Sequence, residues 1–220
     1  VACDAADGAE AGVLLASACG SAAPLRGVLH AAGVGDKGLV SEVHRWRIEG
    51  ALTPKGGGAC RLHHRMSGAS LGALVQWSSV AAAYGNAGQG SYAAANAYLD
   101  ALTLCRRGAG VAAACVQWPL VGGAGMGAAA GFTERQARGR GMAAISLDEY
   151  AACLAAALTT PVAASGRAHV PLPRDASVLL GSAPDASQPL FAEAAPDKGA
   201  ESPPAAAAAE PGGALALVPV

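Results

Sequence analysis

One stretch of the chain restricts the fold more than any other: residues 76–100, QWSSVAAAYGNAGQGSYAAANAYLD. An apolar run ends in Ser78 and Ser79, glycines follow, and a small-residue run opens with Tyr92 and carries Asn96 four residues later. The apolar run predicts a strand, the glycines a loop and the alanine-rich run a helix. Because positions i and i+4 share a helix face, Tyr92 and Asn96 should point the same way. The pattern predicts polar chemistry at a strand–helix junction.

Short apolar runs alternate with helical patterns along most of the chain. The patterns predict strands at residues 25–34, 71–78, 111–118 and 168–172, with the end of another at residues 1–4. They predict helices at residues 5–23, 90–107 and 146–159, and a poor helical pattern at residues 41–70. This alternation is typical of an α/β protein with a parallel sheet and helices on both faces. Ligands bind such sheets at the carboxyl ends of the strands.

Local signals set several boundaries. Asp7 is placed to cap the first helix, and Ser146 with Glu149 forms a capping-box pattern. Pro54 predicts a break or kink near Lys55. The glycines at positions 56–58 each cost about 1 kcal/mol in a helix, so we expect Lys55 to be loosely held. Residues 122–131, GGAGMGAAAG, are too flexible for an element and form either a lid or an ordinary surface loop.

Composition and charge exclude some classes of function. The 15 Lys and Arg residues nearly balance the 16 Asp and Glu residues, so the net charge of -1 does not indicate nucleic-acid or membrane binding. The six cysteines stand singly, without metal-ligand spacing, which favours reduced thiols. With no run of 18 apolar residues, we expect a soluble intracellular protein of the cytoplasm. Residues 183–220 are rich in Pro and Ala and predict a linker or disordered tail after a domain at 1–182.

Four residues together suggest an active site. A tyrosine phenol can donate a proton to a developing alkoxide if a nearby ammonium lowers its pKa, and a hydroxyl or amide can hold the reacting oxygen. Tyr92, Ser79, Asn96 and Lys55 supply these groups. Each alone has an ordinary explanation: a core tyrosine, a turn serine, a capping asparagine and a solvated lysine. Only their joint arrangement indicates catalysis.

Three segments resemble the ketoreductase domain of type I polyketide synthases and related fatty acid synthases, in the short-chain dehydrogenase/reductase superfamily. They are PLRGVLHAAGV at 24–34, SSVAAAYGNAGQGSYAAANAYLDAL at 78–102 and VQWPLVGGAGM at 116–126. Ser79 lies 13 residues and Lys55 37 residues before Tyr92, as in this family. The lysine and asparagine positions are interchanged relative to other superfamily members. The resemblance implies a Rossmann-like doubly wound fold.

The resemblance also implies a reaction: reduction of a β-ketoacyl thioester, tethered to the phosphopantetheine of an acyl carrier protein, by NADPH. Tyr92 would supply the proton and Ser79 would orient the carbonyl. Lys55 would lower the tyrosine pKa and bind the nicotinamide ribose, and Asn96 would position Lys55 or a proton-relay water. The implied cofactor-binding residues are Asp4, His30, Ala31, Ala32, Gly33, Lys55, Tyr92, Trp118 and Pro119.

The sequence departs from the family pattern in three respects, one of which is the glycine run after Lys55, with WPLVGGAGM lacking the usual Gly-Pro-Trp. The glycine-rich nucleotide loop and the residue that reads the 2′-phosphate would lie upstream of Val1, so we interpret the chain as a fragment that binds NADPH weakly alone. The residues aligned with the Leu-Asp-Asp motif of one product configuration are Gly35, Asp36 and Lys37, and Tyr84 replaces the tryptophan that marks the other. The product configuration, the acyl chain length and the choice between polyketide and fatty acid pathways stay open.

Two other functions are compatible with the same residues. The chain could be an inactive remnant that serves as a structural or interaction module among neighbouring synthase domains. It could also be a free-standing short-chain dehydrogenase, although the Ala- and Pro-rich tail favours a tether to a following domain. The leading hypothesis is the catalytic part of a ketoreductase.

Overall fold

The described residues contain a five-stranded sheet. The computed structural model describes residues 2–20, 25–66, 72–129 and 144–159, with 131, 133, 135, 169–171, 178, 180, 181 and 217–219. The strands are β1 (Gly27–His30), β2 (Ala73–Ser79), β3 (Ala114–Trp118), β4 (His169–Pro171) and β5 (Leu217–Pro219). Their order is β1-β2-β3-β4-β5, and the pairs β1/β2, β2/β3 and β3/β4 are parallel.

Helices lie between successive strands from β1 to β4, as expected for parallel crossovers. They are α1 (Gly8–Cys19), α2 (Arg45–Leu52), α3 (Gly58–Arg65), α4 (Val80–Tyr84), α5 (Gly90–Gly108), α6 (Gly125–Ala129) and α7 (Leu147–Thr159). A short 3-10 helix spans Val40–Glu42, and a π-helical turn at Thr53–Gly57 joins α2 to α3. The predicted α/β class with a Rossmann-like parallel sheet is therefore confirmed.

The chain divides into two compact units. The first consists of Val1–Trp118, Ala152–Val170 and Pro219–Val220, and the second of Pro119–Ala151 and Pro171–Val218. In the second unit Val121 bridges to Ile145, and Ile145 is buried.

Two apolar clusters hold the helices of the first unit against the sheet. Leu15 of α1, Leu62 of α3 and Leu74 of β2 are buried together in one of them. Leu99 of α5 and Cys115 of β3, both fully buried, form the other with Ala59.

Side-chain hydrogen bonds add to this packing between β2 and α5. Gln76 is fully buried, and its Nε2 donates to Thr103 Oγ1 over 2.7 Å. Two residues further along β2, and therefore on the same face, Ser78 Oγ donates to the Asn96 carbonyl over 3.3 Å. These directional bonds fix where α5 lies along β2.

The predicted helix caps are confirmed. Asp7 Oδ1 accepts hydrogen bonds from the N–H groups of Ala9 and Glu10 at 2.7 and 3.0 Å. The Ser146 N–H donates to Glu149 Oε2 over 2.7 Å, and the Glu149 N–H donates to Ser146 Oγ over 3.1 Å. Both helices thus begin where their side chains satisfy the first free backbone N–H groups.

Two local predictions differ from the structure. Ala2 to Asp4 are not in a strand. Residues 122–131, predicted to form no element, contain the short helix α6, and the lid interpretation stays a prediction. The tail predicted at 183–220 also stays a prediction, since β5 is the part of it that lies within the described residues.

The glycines after Lys55 have a packing function that the sequence did not reveal. A Cβ at Gly56 would lie 3.2 Å from the Tyr98 ring, and one at Gly58 would lie 2.9 Å from Cε1 of His30. Lys55 itself is only 2% exposed, so the expectation of a loosely held lysine was wrong. The predicted break at Pro54 is confirmed as the π-helical turn, in which the Gly58 N–H donates to the Thr53 carbonyl five residues earlier.

We predict that Gly58→Ala lowers the free energy of unfolding by about 1–3 kcal/mol, because the buried His30 ring has to move. Gly50→Ala is the matched control, since a Cβ at this α2 position meets nothing within 4 Å. This control should be neutral or stabilise the protein by up to about 1 kcal/mol. Urea denaturation of both variants tests the packing, and equal midpoints would contradict it.

None of the helices in the described residues is both long enough and apolar enough to cross a bilayer.

Candidate active site

The carboxyl ends of three parallel strands bring the candidate residues to one edge of the sheet. The register pairs His30 of β1 with Gln76 and Ser79 of β2 with Trp118 of β3. The Trp77 and Trp118 rings lie 6.2 Å apart at this edge. The strands thus place His30, Ser79 and Trp118 where ligands bind in such sheets.

Lys55 is the central residue of the site. Its ammonium donates to the Trp77 carbonyl over 2.7 Å and lies 5.7 Å from the centre of the Tyr92 ring. At the other end of the residue, His30 Nε2 donates to the Lys55 carbonyl over 3.0 Å. Both the backbone and the side chain of Lys55 are therefore fixed by hydrogen bonds from β1 and to β2.

Gly33 leaves the space that the Lys55 side chain occupies. A Cβ at Gly33 would lie 2.7 Å from Lys55 Cε and 3.1 Å from Nζ. A larger residue at this position would displace the ammonium, so the segment after β1 and the lysine depend on each other.

Helix α5 presents Tyr92 and Asn96 on one face. Asn96 is fully buried, and its Nδ2 donates to the Tyr92 carbonyl over 2.8 Å. Its Oδ1 is buried and has no hydrogen-bond partner among the described residues. Ser78 fixes the Asn96 carbonyl from β2, so the helix turn that carries both side chains has a defined position.

Ser79 ends β2 and caps the short helix α4. Its Oγ accepts a hydrogen bond from the Ala81 N–H over 3.2 Å. Since a hydroxyl has one donor besides its acceptor lone pairs, the Ser79 proton can still be donated to a ligand oxygen.

Burial dominates the electrostatics of the site. It lowers the pKa of Lys55 to about 8, although attraction to Cys115 and Asp100 opposes the shift. Burial also lowers the pKa of His30, and the hydrogen bond to the Lys55 carbonyl partly offsets this effect. Since a carbonyl can only accept, the His30 ring carries a proton on the Nε2 that donates to Lys55.

The structure brings Lys55, Tyr92, Asn96 and Gly33 together and places Ser79 at the same edge of the sheet. Asp4 is exposed, and its carboxylate accepts a hydrogen bond from the Ala6 N–H over 2.9 Å. The remaining residues predicted to bind the cofactor have these positions: Ala31 and Ala32 are exposed after β1, Trp118 is buried at the end of β3, and Pro119 begins the second unit.

Sequence reasoning missed a connection beside Tyr92. Arg47 of α2 forms an ion pair with Asp36 at 2.8 Å, with side-chain exposures of only 15% and 12%. The Gly38 N–H donates to the Gly88 carbonyl over 2.8 Å. This hydrogen bond joins the loop after β1 to the loop before α5. The two loops are far apart in the sequence, so the contact becomes visible only in the folded structure.

A second group that sequence reasoning missed lies behind the site. Asp100 follows Asn96 by one helical turn and accepts hydrogen bonds from Cys115 and Gln117 of β3. The i+4 and i+8 spacing from Asn96 and Tyr92 could have indicated Asp100 from the sequence.

This fold and this site define an α/β protein with a buried lysine next to a tyrosine at the ligand-binding edge of a parallel sheet. The family model for the KR domain matches residues 1–123 of the chain. The chain therefore belongs to the KR domain family.

Two relatives from polyketide synthases illustrate the similarity. The spectinabilin polyketide synthase system protein NorB of Streptomyces orinoci is 42% identical over 161 residues, covering 72% of this chain and 7% of that protein. Polyketide synthase GfsB of Streptomyces halstedii is 44% identical over 119 residues, covering 54% of this chain and 2% of the relative. The chain thus spans a small fraction of the length of these relatives.

Solved structures give the same fold. A ketoreductase from the first module of phoslactomycin biosynthesis in Streptomyces sp. HK803 superimposes with a TM-score of 0.76 at 31% identity. The match covers 91% of this chain and 45% of that one. The first ketoreductase of the tylosin polyketide synthase superimposes with a TM-score of 0.70 at 34% identity, covering 87% of this chain and 42% of that one.

The burial of Lys55 predicts how stability depends on pH. The pKa of this lysine is about 8 in the folded protein, compared with 10.5 for an ordinary lysine, so between these values the unfolded chain binds more protons. The free energy of unfolding should therefore rise with pH in this window, by about 3 kcal/mol from this group.

Urea denaturation across the same window, in the parent and in Lys55→Met, isolates the contribution of this lysine. The difference in unfolding free energy between parent and variant should shift in favour of the parent as pH rises. Parallel pH dependences of the two proteins would contradict the burial of a titrating ammonium.

Proposed function

We propose that the chain is the catalytic part of a ketoreductase that reduces a β-ketoacyl thioester to the β-hydroxyacyl product with NADPH. The observation that carries this proposal is the Lys55 ammonium, buried at the carboxyl edge of the sheet and 5.7 Å from the Tyr92 ring. Membership of the KR domain family supports it. A ketoreductase needs a proton donor for the carbonyl oxygen that is reduced, and Tyr92 beside Lys55 can supply that proton.

The residues present fit the nicotinamide end of such a cofactor. The Lys55 ammonium has three donors, and the Trp77 carbonyl accepts from it, so donors remain for the hydroxyls of a ribose. The missing side chain at Gly33 leaves the ammonium close to the backbone of the segment after β1. We propose that Lys55, Tyr92 and the segment His30 to Gly33 hold this end, with Trp118 and Pro119 beside it and Asp4 toward the adenine.

Each residue of the site then has a separate task. NADPH supplies the hydride when it is bound. Tyr92 donates its phenolic proton to the substrate oxygen, and Ser79 donates a hydrogen bond to the same oxygen. The Lys55 ammonium stabilises the phenolate that remains, because opposite charges attract strongly in a buried site. Asn96 holds the turn of α5 that carries Tyr92, and its free Oδ1 can accept a hydrogen bond from a relay water.

The partners follow from the size of the relatives. Because the chain spans 7% of NorB, we propose that it works within a larger synthase, on a substrate carried by the phosphopantetheine of an acyl carrier protein. Residues 1–182 would form the ketoreductase part, and residues 183–220 would link it to a neighbouring domain.

Tyr92→Phe tests this function. Purified chain is mixed with NADPH and a small β-ketoacyl thioester, and NADPH consumption is followed by absorbance. The chain is assayed alone and with the coding sequence immediately upstream added. We expect Tyr92→Phe to lower kcat by about 10²-fold or more, because the variant lacks the proton donor.

Tyr98→Phe is the matched control, since Tyr98 lies on the same helix and packs against Gly56 instead of Lys55. Its kcat should stay within about twofold of the parent value. If neither the chain nor its extended form consumes NADPH, or if Tyr92→Phe retains the parent rate, the proposal is wrong and an inactive interaction module becomes the better interpretation.

A further inference from the structure

The imidazole of His30 is directed at the backbone of Lys55. Its Nε2 donates to the Lys55 carbonyl over 3.0 Å, and the residue is only 4% exposed. A ring with so little exposed surface has little to offer a nucleotide that binds at the edge of the sheet. The structure therefore favours Lys55 over a cofactor as the partner of this side chain.

The Lys55 carbonyl lies in the π-helical turn at Thr53–Gly57, where the backbone hydrogen bonds are irregular. The Gly58 N–H donates to the Thr53 and Lys55 carbonyls together. An N–H that is shared in this way gives each carbonyl a weaker bond than an undivided one, and a carbonyl oxygen has two lone pairs to satisfy. The His30 N–H supplies a second donor to the Lys55 carbonyl and so stabilises the irregular turn.

Gly58 gives the ring access to this carbonyl. A Cβ at Gly58 would lie 2.9 Å from Cε1 of His30 and 3.5 Å from its Nε2. A side chain at this position would therefore push the imidazole away from the Lys55 carbonyl. The glycine after the turn and the histidine at the end of β1 are complementary in shape.

Both ends of Lys55 are held at one level of the sheet. His30 of β1 pairs with Gln76 of β2, and the carbonyl of the next residue, Trp77, accepts from the Lys55 ammonium over 2.7 Å. The backbone of the lysine is thus fixed from β1 and its ammonium from β2. With both ends fixed on neighbouring strands, the side chain has little freedom to leave the Tyr92 ring, whose centre is 5.7 Å from the ammonium.

We propose that His30 is a positioning residue, which holds the π-helical turn through the Lys55 carbonyl and so directs the Lys55 ammonium to its place beside Tyr92. It acts through Lys55 and contacts neither cofactor nor substrate. Within the segment His30 to Gly33, the residues after His30 are the ones that would meet the cofactor. The proposal rests on the proposed function for its purpose, since the position of the ammonium matters for catalysis.

The test follows both ends of Lys55 by NMR, without cofactor or substrate. The chain contains three lysines, Lys37, Lys55 and Lys198, so lysine labelled with ¹³C gives three backbone carbonyl signals and three sets of side-chain signals. Lys55→Met identifies the Lys55 signals by their loss. The carbonyl signal reports the hydrogen bond from His30, and the side-chain signal reports the titration of the ammonium.

His30→Leu removes the donor and keeps a side chain of similar volume, whereas His30→Gln retains an N–H group. We expect His30→Leu to shift the Lys55 carbonyl signal upfield, because loss of a hydrogen bond has this effect on a carbonyl carbon. The titration midpoint of Lys55 should rise by about one pH unit, because a released turn lets water reach the ammonium. His30→Gln should stay close to the parent in both measurements.

His63→Leu is the matched control. The His63 Nδ1 accepts from Arg106 Nη1 over 2.7 Å, so this variant also removes a ring that is hydrogen-bonded to another element, but one that does not contact Lys55. Both Lys55 signals should keep their parent values. Unchanged Lys55 signals in a folded His30→Leu protein, or equal shifts in His30→Leu, His30→Gln and His63→Leu, would overturn the proposal.

If His30→Leu does not fold, histidine labelled with ¹⁵N in the parent chain decides the question. The ¹⁵N shift of an imidazole nitrogen shows whether it carries a proton, and His30→Gln identifies the His30 signals. A protonated Nε2 whose proton exchanges slowly with water supports the proposal, and an Nε2 without a proton overturns it. Because no turnover is measured, these outcomes are independent of whether the chain reduces a ketone.

Discussion

The burial of one ammonium group is the constraint on which the rest of this structure depends. Lys55 is 2% exposed, and its hydrogen bond to the Trp77 carbonyl replaces only part of the water that the charge has lost. The protein compensates with neighbours that each do one thing. Gly33 provides space, His30 fixes the backbone, and Tyr92 places the face of its ring near the cation. Changing any one of these groups changes the energy of the charge.

Hydrogen bonds from side chains of β2 to α5 position the site because large apolar residues are scarce. Aromatic residues make up 4% of the chain, and much of its apolar content is alanine, which packs closely but has little shape to specify an orientation. The bonds from Gln76 to Thr103 and from Ser78 to Asn96 are directional, so α5 can occupy only one position along β2. The distances and angles that these hydrogen bonds require therefore limit the position of α5, the helix that carries Tyr92.

Local signals in the sequence predicted much of the fold, and the candidate site was predicted from several residues taken together. Asp7 and the pair of Ser146 and Glu149 marked helix starts correctly, because a cap depends on residues within one turn. The family resemblance, supported by the spacing of Lys55 and Ser79 from Tyr92, predicted residues that the structure brings to one edge of the sheet.

The errors arose where contacts join distant segments. The need for glycine at position 58 comes from the His30 ring on another element, and the partners of Asp100 become visible only when β3 is placed beside α5. Helix propensity penalises a glycine in isolation and contains no information about what lies opposite it. A sequence pattern can therefore identify the lysine without revealing how it is held.

The π-helical turn at Thr53–Gly57 has a consequence for how this segment tolerates insertions and deletions. A π turn contains one residue more than the α-helical turn it replaces. Deleting one residue there would give a regular α-helical turn and leave the two helical halves nearly in phase. If all five residues became α-helical instead, the extra residue would rotate one half by about 100° relative to the other, because each residue of an α-helix advances by that angle. With α3 held by its glycine contacts, α2 would then be turned away from α5. The irregular turn is therefore a phase adjustment between two helices, and its length matters as much as its residues.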